Sequence, residues 1–175
     1  MVALGGTAEA VPFPKPFAGG ESILLSGRRA GTAAGTAALH DSMNNEELIR
    51  RFESDTVPED SFHHADHVRL AFAYLCEYPV PQALEKFASA LKRFAAVRGK
   101  TQLYNETITC AYFFLIRERM ARCEGADWEK FASQNPDLLV WKEGILSRYY
   151  RESTMKSDLA RRVFVLPDKC LTTSP

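Results

Sequence analysis

The sequence of 175 residues lacks the features that would place it in several large functional classes. No apolar run approaches the roughly 20 residues of a membrane-spanning helix, and the N-terminus has no basic segment followed by an apolar one, as a secretory signal would. Lys plus Arg and Asp plus Glu number 22 each, so the formal net charge is zero and no basic surface for nucleic acid is indicated. We therefore expect a cytoplasmic protein that has neither a membrane nor a nucleic acid as its partner.

The sequence also lacks the motifs of common metal, phosphate and nucleophile sites. The four cysteines are widely spaced and form no C-x-x-C pair, which favours reduced thiols over a zinc site or a disulfide framework. The sequence has no glycine-rich phosphate loop, no G-x-S-x-G nucleophile motif and no H-E-x-x-H zinc motif. Acyl transfer through a serine or cysteine nucleophile is therefore not indicated.

Glycine is absent between Gly35 and Gly99, which suits long helices. Residues 1–42, in contrast, hold seven of the ten glycines and have little large apolar surface to offset the entropy of ordering the chain. We expect these residues to form a disordered leader and residues 43–175 to form one helical domain. Met43 directly precedes the first patterned helix and is an alternative natural start.

Apolar residues recur at helical spacing through most of the remaining chain, which predicts an all-α, bundle-like domain of five to six helices. Asn44 is the expected cap of the first helix, and Gly99 the expected stop of the third. The C-terminal residues 163–166 form a short extended apolar segment. We expect this segment to close the bundle as a strap, with Phe164 and Leu166 buried. The periodicity covers about residues 44–52, 63–78, 81–98, 104–123, 126–131, 137–149 and, as a capped turn, 157–162.

Three of the four histidines lie within five residues, His63, His64 and His67, where the most apolar helix of the first half begins. On a helical wheel His64 and His67 fall inside the apolar arc, His63 lies near its edge, and Arg69 turns away. We expect His67 to be buried and to have a specific partner, because a buried imidazole without one is costly. The leading candidates are Glu106, Asn105 or a metal, with His64 beside it as a second ring. The alternative is a histidine-rich first turn whose rings cap the backbone or bind water.

A second polar group opens the helix that follows Leu103. There Asn105 and Thr109 fall on the inward arc, with Glu106 at its edge. The alternative interpretation is ordinary capping, in which Asn105 is the N-cap and Glu106 interacts with the positive end of the helix dipole. The two interpretations do not exclude each other.

If these two helix starts pack together, they form a polar pocket whose candidate catalytic residues are His67, His64, Glu106 and Asn105. Two imidazoles and one carboxylate form a ligand set for iron or zinc, so His64, His67 and Glu106 are candidate metal ligands, with His63 as an alternative. Without a metal, the same groups can serve as acid and base for a bound small molecule. The rival hypothesis is a non-catalytic helical module that binds a small ligand or a protein partner.

The two stretches together resemble an uncharacterised group of mostly bacterial helical proteins. That group has an F-x-H-x-D-H-x-R-L-A run, here Phe62 to Ala71, and a Y-H-E-T-I-T run, here Tyr104 to Thr109. The resemblance covers about residues 46–168 and implies no particular activity. By that pattern His64, His67 and Glu106 match, whereas Asn105 replaces a histidine. If that histidine binds a metal in relatives, this chain is expected to bind metal poorly or to have lost the chemistry.

Overall fold

A computed structural model describes residues 43–58, 61–123, 125, 127–142 and 144–169. These residues form an all-α fold, as predicted, and none of them belongs to a β-strand. The described part contains seven α-helices rather than five or six, because two single-turn helices follow the five longer ones. The predicted leader, residues 1–42, lies outside the described residues. The helices are α1 (Asn45–Glu53), α2 (His64–Glu77), α3 (Val80–Val97), α4 (Glu106–Arg122), α5 (Trp128–Gln134), α6 (Glu152–Met155) and α7 (Asp158–Arg162).

Local sequence signals set the bounds of the longer helices. The side chain of Asn44 accepts a hydrogen bond from the Glu47 backbone N–H at 2.8 Å, so the predicted cap of α1 is confirmed. Pro79 precedes α3, and Gly99 follows it with φ +65°, a left-handed conformation that glycine adopts without strain. Gly125 has φ +62° and follows α4 in the same way.

Helix α2 lies at the centre of the domain and contacts α1, α3 and α4. Every residue from His67 to Tyr74 is buried, so the helix is covered on all sides along two turns. Arg69, which was expected to turn away from the histidine side of the helix, is among these buried residues. Its guanidinium donates to Asn45 Oδ1 at 2.7 Å and to the Met43 carbonyl at 3.1 Å, and these oxygens offset the cost of burying the charge.

The segment after α5 does not form the predicted helix over residues 137–149. It forms two short 3₁₀ turns, Pro136–Leu138 and Ile145–Arg148. Leu138 and Ile145 are buried, whereas Trp141 is only half-buried. The irregular backbone leaves carbonyl groups available to side chains from elsewhere in the fold, which a continuous helix would not do.

The strap exists, but its side chains are not core residues. Phe164 is 39% exposed and Leu166 is 72% exposed, so the prediction that both are buried was wrong. Hydrogen bonds hold the strap instead. The buried Thr107 hydroxyl donates to the Val163 carbonyl at 2.8 Å and accepts from the Val165 N–H at 3.0 Å. A third bond runs from the Tyr150 hydroxyl to the Val165 carbonyl.

Two further expectations concern cysteine and the membrane. Cys76, Cys110 and Cys123 are free thiols, as predicted, while Cys170 lies outside the described residues. Among the helices in the described part of the chain, none combines the length and the apolar character needed to cross a bilayer.

Candidate functional site

The first turn of α2 separates the three histidines. His63 is the N-cap, and its backbone N–H donates to Asp66 Oδ2 at 2.7 Å, which satisfies one of the amide groups that a helix start leaves without partners. Its side chain is 63% exposed. His64 and His67 point to the interior, one turn apart. The structure therefore puts His63 at the surface, away from the other two rings.

His64 and His67 line one small pocket between α2, α3 and α4. Its volume is about 20 Å³, which is room for about one water molecule. Thr109 also lines it, and its hydroxyl is buried. We call this the inner pocket. It is lined by His64, His67, Val68, Ala71, Phe87, Leu91, Ile108, Thr109, Tyr112 and Ile116.

The tautomer of His64 follows from its hydrogen bond. Nε2 lies 2.9 Å from the Leu138 carbonyl oxygen, and because a carbonyl can only accept, Nε2 carries the proton of the neutral ring. Nδ1 is then the acceptor nitrogen. Burial lowers the pKa of His64, and the hydrogen bond to Leu138 partly opposes that shift. The ring lies edge-on to Tyr112, with centroids 4.8 Å apart, and 5.2 Å from the Trp141 ring.

His67 is 9% exposed, and its predicted burial is confirmed. Its ring centroid lies 4.3 Å from that of Phe62. Burial holds the pKa of His67 well below the usual value, and the nearby His64 lowers it further, because two adjacent imidazoles resist carrying charge together. Both rings are thus neutral near pH 7. Of the partners predicted for His67, His64 lies beside it.

Asn105 serves α4 rather than the histidines. It is the N-cap, with Oδ1 accepting from the Ile108 N–H at 3.0 Å and Nδ2 donating to the Met155 carbonyl at 2.9 Å. The capping interpretation is confirmed. The second bond also ties the start of α4 to α6, and Asn105 itself is not part of the inner pocket's wall.

Glu106 is likewise held by other groups. Its Oε2 lies 2.9 Å from Lys92 Nζ, and Oε1 lies 3.8 Å from Cys110 Sγ. No three His, Cys, Asp or Glu side chains among the described residues come close enough to hold a metal ion. The structure therefore does not assemble the predicted iron or zinc ligand set of His64, His67 and Glu106.

The sequence did not indicate the residues that extend the candidate site beyond the histidines. Tyr112 lines both the inner pocket and a larger groove of about 570 Å³. We call the latter the outer groove. Trp141 forms part of its wall. The one hint of this in the sequence is that Trp141 lies between a proline and a glycine, Pro136 and Gly144, which disfavour a regular helix. The outer groove is lined by Tyr112, Trp141, Lys142, Gly144, Leu146, Ser147, Tyr150, Glu152, Met155 and Lys169.

Gly144 lies against the Tyr112 hydroxyl in the wall of the outer groove. A Cβ atom there would lie 2.5 Å from the Val140 carbonyl oxygen and 2.9 Å from the Tyr112 hydroxyl oxygen. Neither distance is tolerated, and the first contact is with backbone, which cannot rotate away. Glycine at this position therefore allows the Tyr112 hydroxyl to approach the segment that carries Trp141.

Trp141 also borders a second, smaller groove of about 160 Å³ on the side of α6 and α7. We call it the side groove. Asn105 and Ile108 line it from α4, and Glu152, Met155, Lys156 and Arg161 line it from the C-terminal helices and the turn between them. Trp141, Glu152 and Met155 are common to the outer and side grooves.

Comparison of the chain with protein-family models, with curated proteins and with solved structures found no match, so the resemblance of its two polar stretches to a helical family stays an expectation.

Proposed function

We propose that the protein binds a small organic molecule at this two-part site. The body of the ligand lies in the outer groove, and a small polar group, or a water molecule bound to the ligand, reaches His64, His67 and Thr109 in the inner pocket. The observation that carries the proposal is the position of Tyr112, which borders both spaces and stacks edge-on against His64. A groove of several hundred Å³ with a few polar groups at one end is typical of small-molecule sites.

The chemistry available at the inner end is acid–base chemistry. A neutral imidazole can accept a proton from a hydroxyl group or from water, and His64 has its acceptor nitrogen defined by the bond to Leu138. A thiol nucleophile is not favoured. Burial, with a further contribution from the charge of Glu106, raises the pKa of Cys110 to about 11, so this cysteine is not a thiolate at neutral pH.

The second candidate is binding without turnover. The size of the inner pocket favours it, because a space for about one water molecule admits only the tip of a ligand. In this case the imidazoles select a ligand by hydrogen bonding and do not transfer protons. Catalysis and simple binding use the same residues, so both depend on the same first experiment.

That experiment is an NMR screen of neutral aromatic fragments, such as phenol, indole and benzyl alcohol, against protein with labelled histidines. We expect binding to shift the ring signals of His64 and His67. His67→Ala and His64→Ala are expected to abolish binding while far-UV circular dichroism stays unchanged. His63→Ala is the matched control, because His63 belongs to the same turn but is exposed, and it should bind fragments as the unmodified protein does.

The proposal fails if no fragment shifts the His64 or His67 signals. It also fails if His63→Ala reduces binding as much as His67→Ala, since the effect would then belong to the helix start and not to the pocket. If fragments bind, hydrolysis of p-nitrophenyl acetate separates the two candidates. Activity that depends on His64 supports acid–base or nucleophilic chemistry by the imidazole, and its absence supports binding alone.

A further inference from the structure

The walls of the outer and side grooves carry cationic side chains from three separate parts of the chain. Lys142 follows Trp141, Lys156 and Arg161 come from the α6–α7 region, and Lys169 lies three residues beyond the strap. Among the described residues that line the two grooves, Glu152 is the one acidic side chain. This distribution contrasts with the zero formal net charge of the whole chain.

The ion pairs near the grooves neutralise only part of this charge. Glu152 Oε1 lies 2.6 Å from Lys156 Nζ, so these two charges offset each other. Arg161 Nη1 lies 3.2 Å from Asp158, whose side chain is 85% exposed. Within the described part of the chain, Lys142 and Lys169 have no carboxylate within ion-pair distance. Among the described residues of its wall, the outer groove therefore carries Lys142 and Lys169 without a carboxylate at ion-pair distance, while its one acidic side chain, Glu152, is paired with Lys156.

The backbone around Lys169 fixes the position of its ammonium group. Lys169 Nζ donates to the Ser147 carbonyl at 2.6 Å, and the Lys169 N–H donates to the Tyr149 carbonyl at 3.0 Å. The preceding Asp168 accepts from the Arg151 N–H at 2.8 Å and from the Thr154 hydroxyl. These hydrogen bonds lower the pKa of Asp168 and keep it ionised. A cation that is already held in place loses less side-chain entropy when it binds an anion.

We propose that the outer groove selects small organic anions, whose carboxylate or phosphate group is bound by Lys142 and Lys169 while a flat apolar body lies against Trp141. This inference rests on the proposed function, because it names the ligand class of the same site. The groove of about 570 Å³ suits a ligand of metabolite size. It also gives the strap a role, since the strap carries Lys169 to the groove.

The role of the strap is thus to position Lys169, and not to bury its own apolar side chains. The bonds that Thr107 and Tyr150 make to its backbone hold the chain at Val163 and at Val165, which lies four residues before Lys169. This explains why the strap is well held although Phe164 and Leu166 are exposed.

The test compares benzoate and phenyl phosphate with benzyl alcohol, a neutral molecule of similar size, and with inorganic phosphate alone. Affinities are measured by calorimetry or NMR at low and at moderate salt. We expect both organic anions to bind more tightly than benzyl alcohol and to weaken as salt is added. Comparison of the two anions identifies the preferred head group, and inorganic phosphate shows whether the aromatic body is needed.

The variants are Lys142→Gln, Lys169→Gln and the double variant, with Lys130→Gln on α5 as an exposed control outside the grooves. Glutamine at 169 can still donate to the Ser147 carbonyl, so the fold is expected to persist. The double variant should bind benzoate at least about tenfold more weakly, because hydrogen bonds to charged groups contribute that much. Its affinity for benzyl alcohol should not change.

The selection of anions is overturned if benzoate and benzyl alcohol bind equally well, or if the double variant binds benzoate as the unmodified protein does. The proposed function stays intact in that case if His64→Ala still abolishes binding. The reverse result, an anion that depends on the lysines but not on His64, overturns the proposed function and keeps the anion site. If none of these probes binds, both are overturned.

Discussion

The first turns of α2 and α4 look alike in the sequence and behave differently in the structure. Each begins with polar side chains on the inward arc: His64 and His67 in α2, Asn105 and Thr109 in α4. In α2 the two inward imidazoles line the inner pocket. In α4 the side-chain amide of Asn105 is hydrogen-bonded to the backbone of its own helix and to the Met155 carbonyl, and of the two residues only Thr109 lines the same pocket.

The difference comes from which residue satisfies the backbone at the helix start. In α2 the carboxylate of Asp66 accepts the His63 N–H, so the neighbouring imidazoles remain available for the interior. In α4 the N-cap is itself the inward polar residue, and Glu106 pairs with Lys92. Buried polar groups are therefore an indication of a site only after the needs of the helix terminus have been met.

The largest effect is expected from Asn105→Ala. The substitution removes the cap of α4 and leaves both the Ile108 N–H and the Met155 carbonyl without the Asn105 side chain as partner. Asn105 is only 3% exposed, so the lost hydrogen bonds are buried ones. Loss of a cap and of a buried hydrogen-bond partner should together lower the free energy of unfolding by about 2–4 kcal/mol, measured by urea denaturation. Asn44→Ala is the control, because Asn44 caps α1 at an exposed position and should cost about 1 kcal/mol or less. Equal losses would show that Asn105 is no more than a surface cap.

Acid should act on α2 and not on α4. The pKa of His67, and to a smaller extent that of His64, is lowered by burial in the folded state, so the unfolded chain binds these protons more readily. Stability is therefore unaffected by these groups above about pH 6.5 and falls as pH decreases below it. Because the unfolded pKa is about 6.5, the loss due to His67 between pH 7 and pH 5 should not exceed about 2 kcal/mol.

Urea denaturation at the two pH values measures this loss, and His67→Gln should remove most of it. His63→Gln should leave it unchanged, because His63 is exposed. If His67→Gln loses as much stability between pH 7 and pH 5 as the unmodified protein does, other groups cause the loss. The two helix starts would then not differ in their response to acid.

The sequence predicted the parts of the fold that depend on local signals. The caps and stops at Asn44, Asn105 and Gly99 lie where a helix begins or ends for reasons contained in a few residues. The burial of His67 followed from helical periodicity, which holds because α2 is a regular helix.

The segment from Pro136 to Tyr150 could not be predicted in this way, because distant residues shape it. His64, 74 positions earlier, donates to the Leu138 carbonyl, which a continuous helix would have bonded to its own backbone. The close approach of Tyr112 to Gly144 is equally non-local. The outer groove therefore depends on long-range contacts that helical periodicity does not indicate, and only the inner half of the candidate site could be predicted from the sequence.

The smallest effect is expected from Glu106→Gln, and it tests the comparison most directly. The Lys92–Glu106 ion pair is half-exposed, with side-chain exposures of 53% and 22%, so its loss should change the free energy of unfolding by about 1 kcal/mol or less. Because Glu106 lines neither the inner pocket nor the outer groove, fragment binding should also stay within about twofold of the unmodified protein, a change of about 0.4 kcal/mol. His64→Ala in the same titration is the reference for complete loss. If Glu106→Gln instead abolishes binding at unchanged stability, the carboxylate works together with the imidazoles, and the first turn of α4 belongs to the site as fully as that of α2.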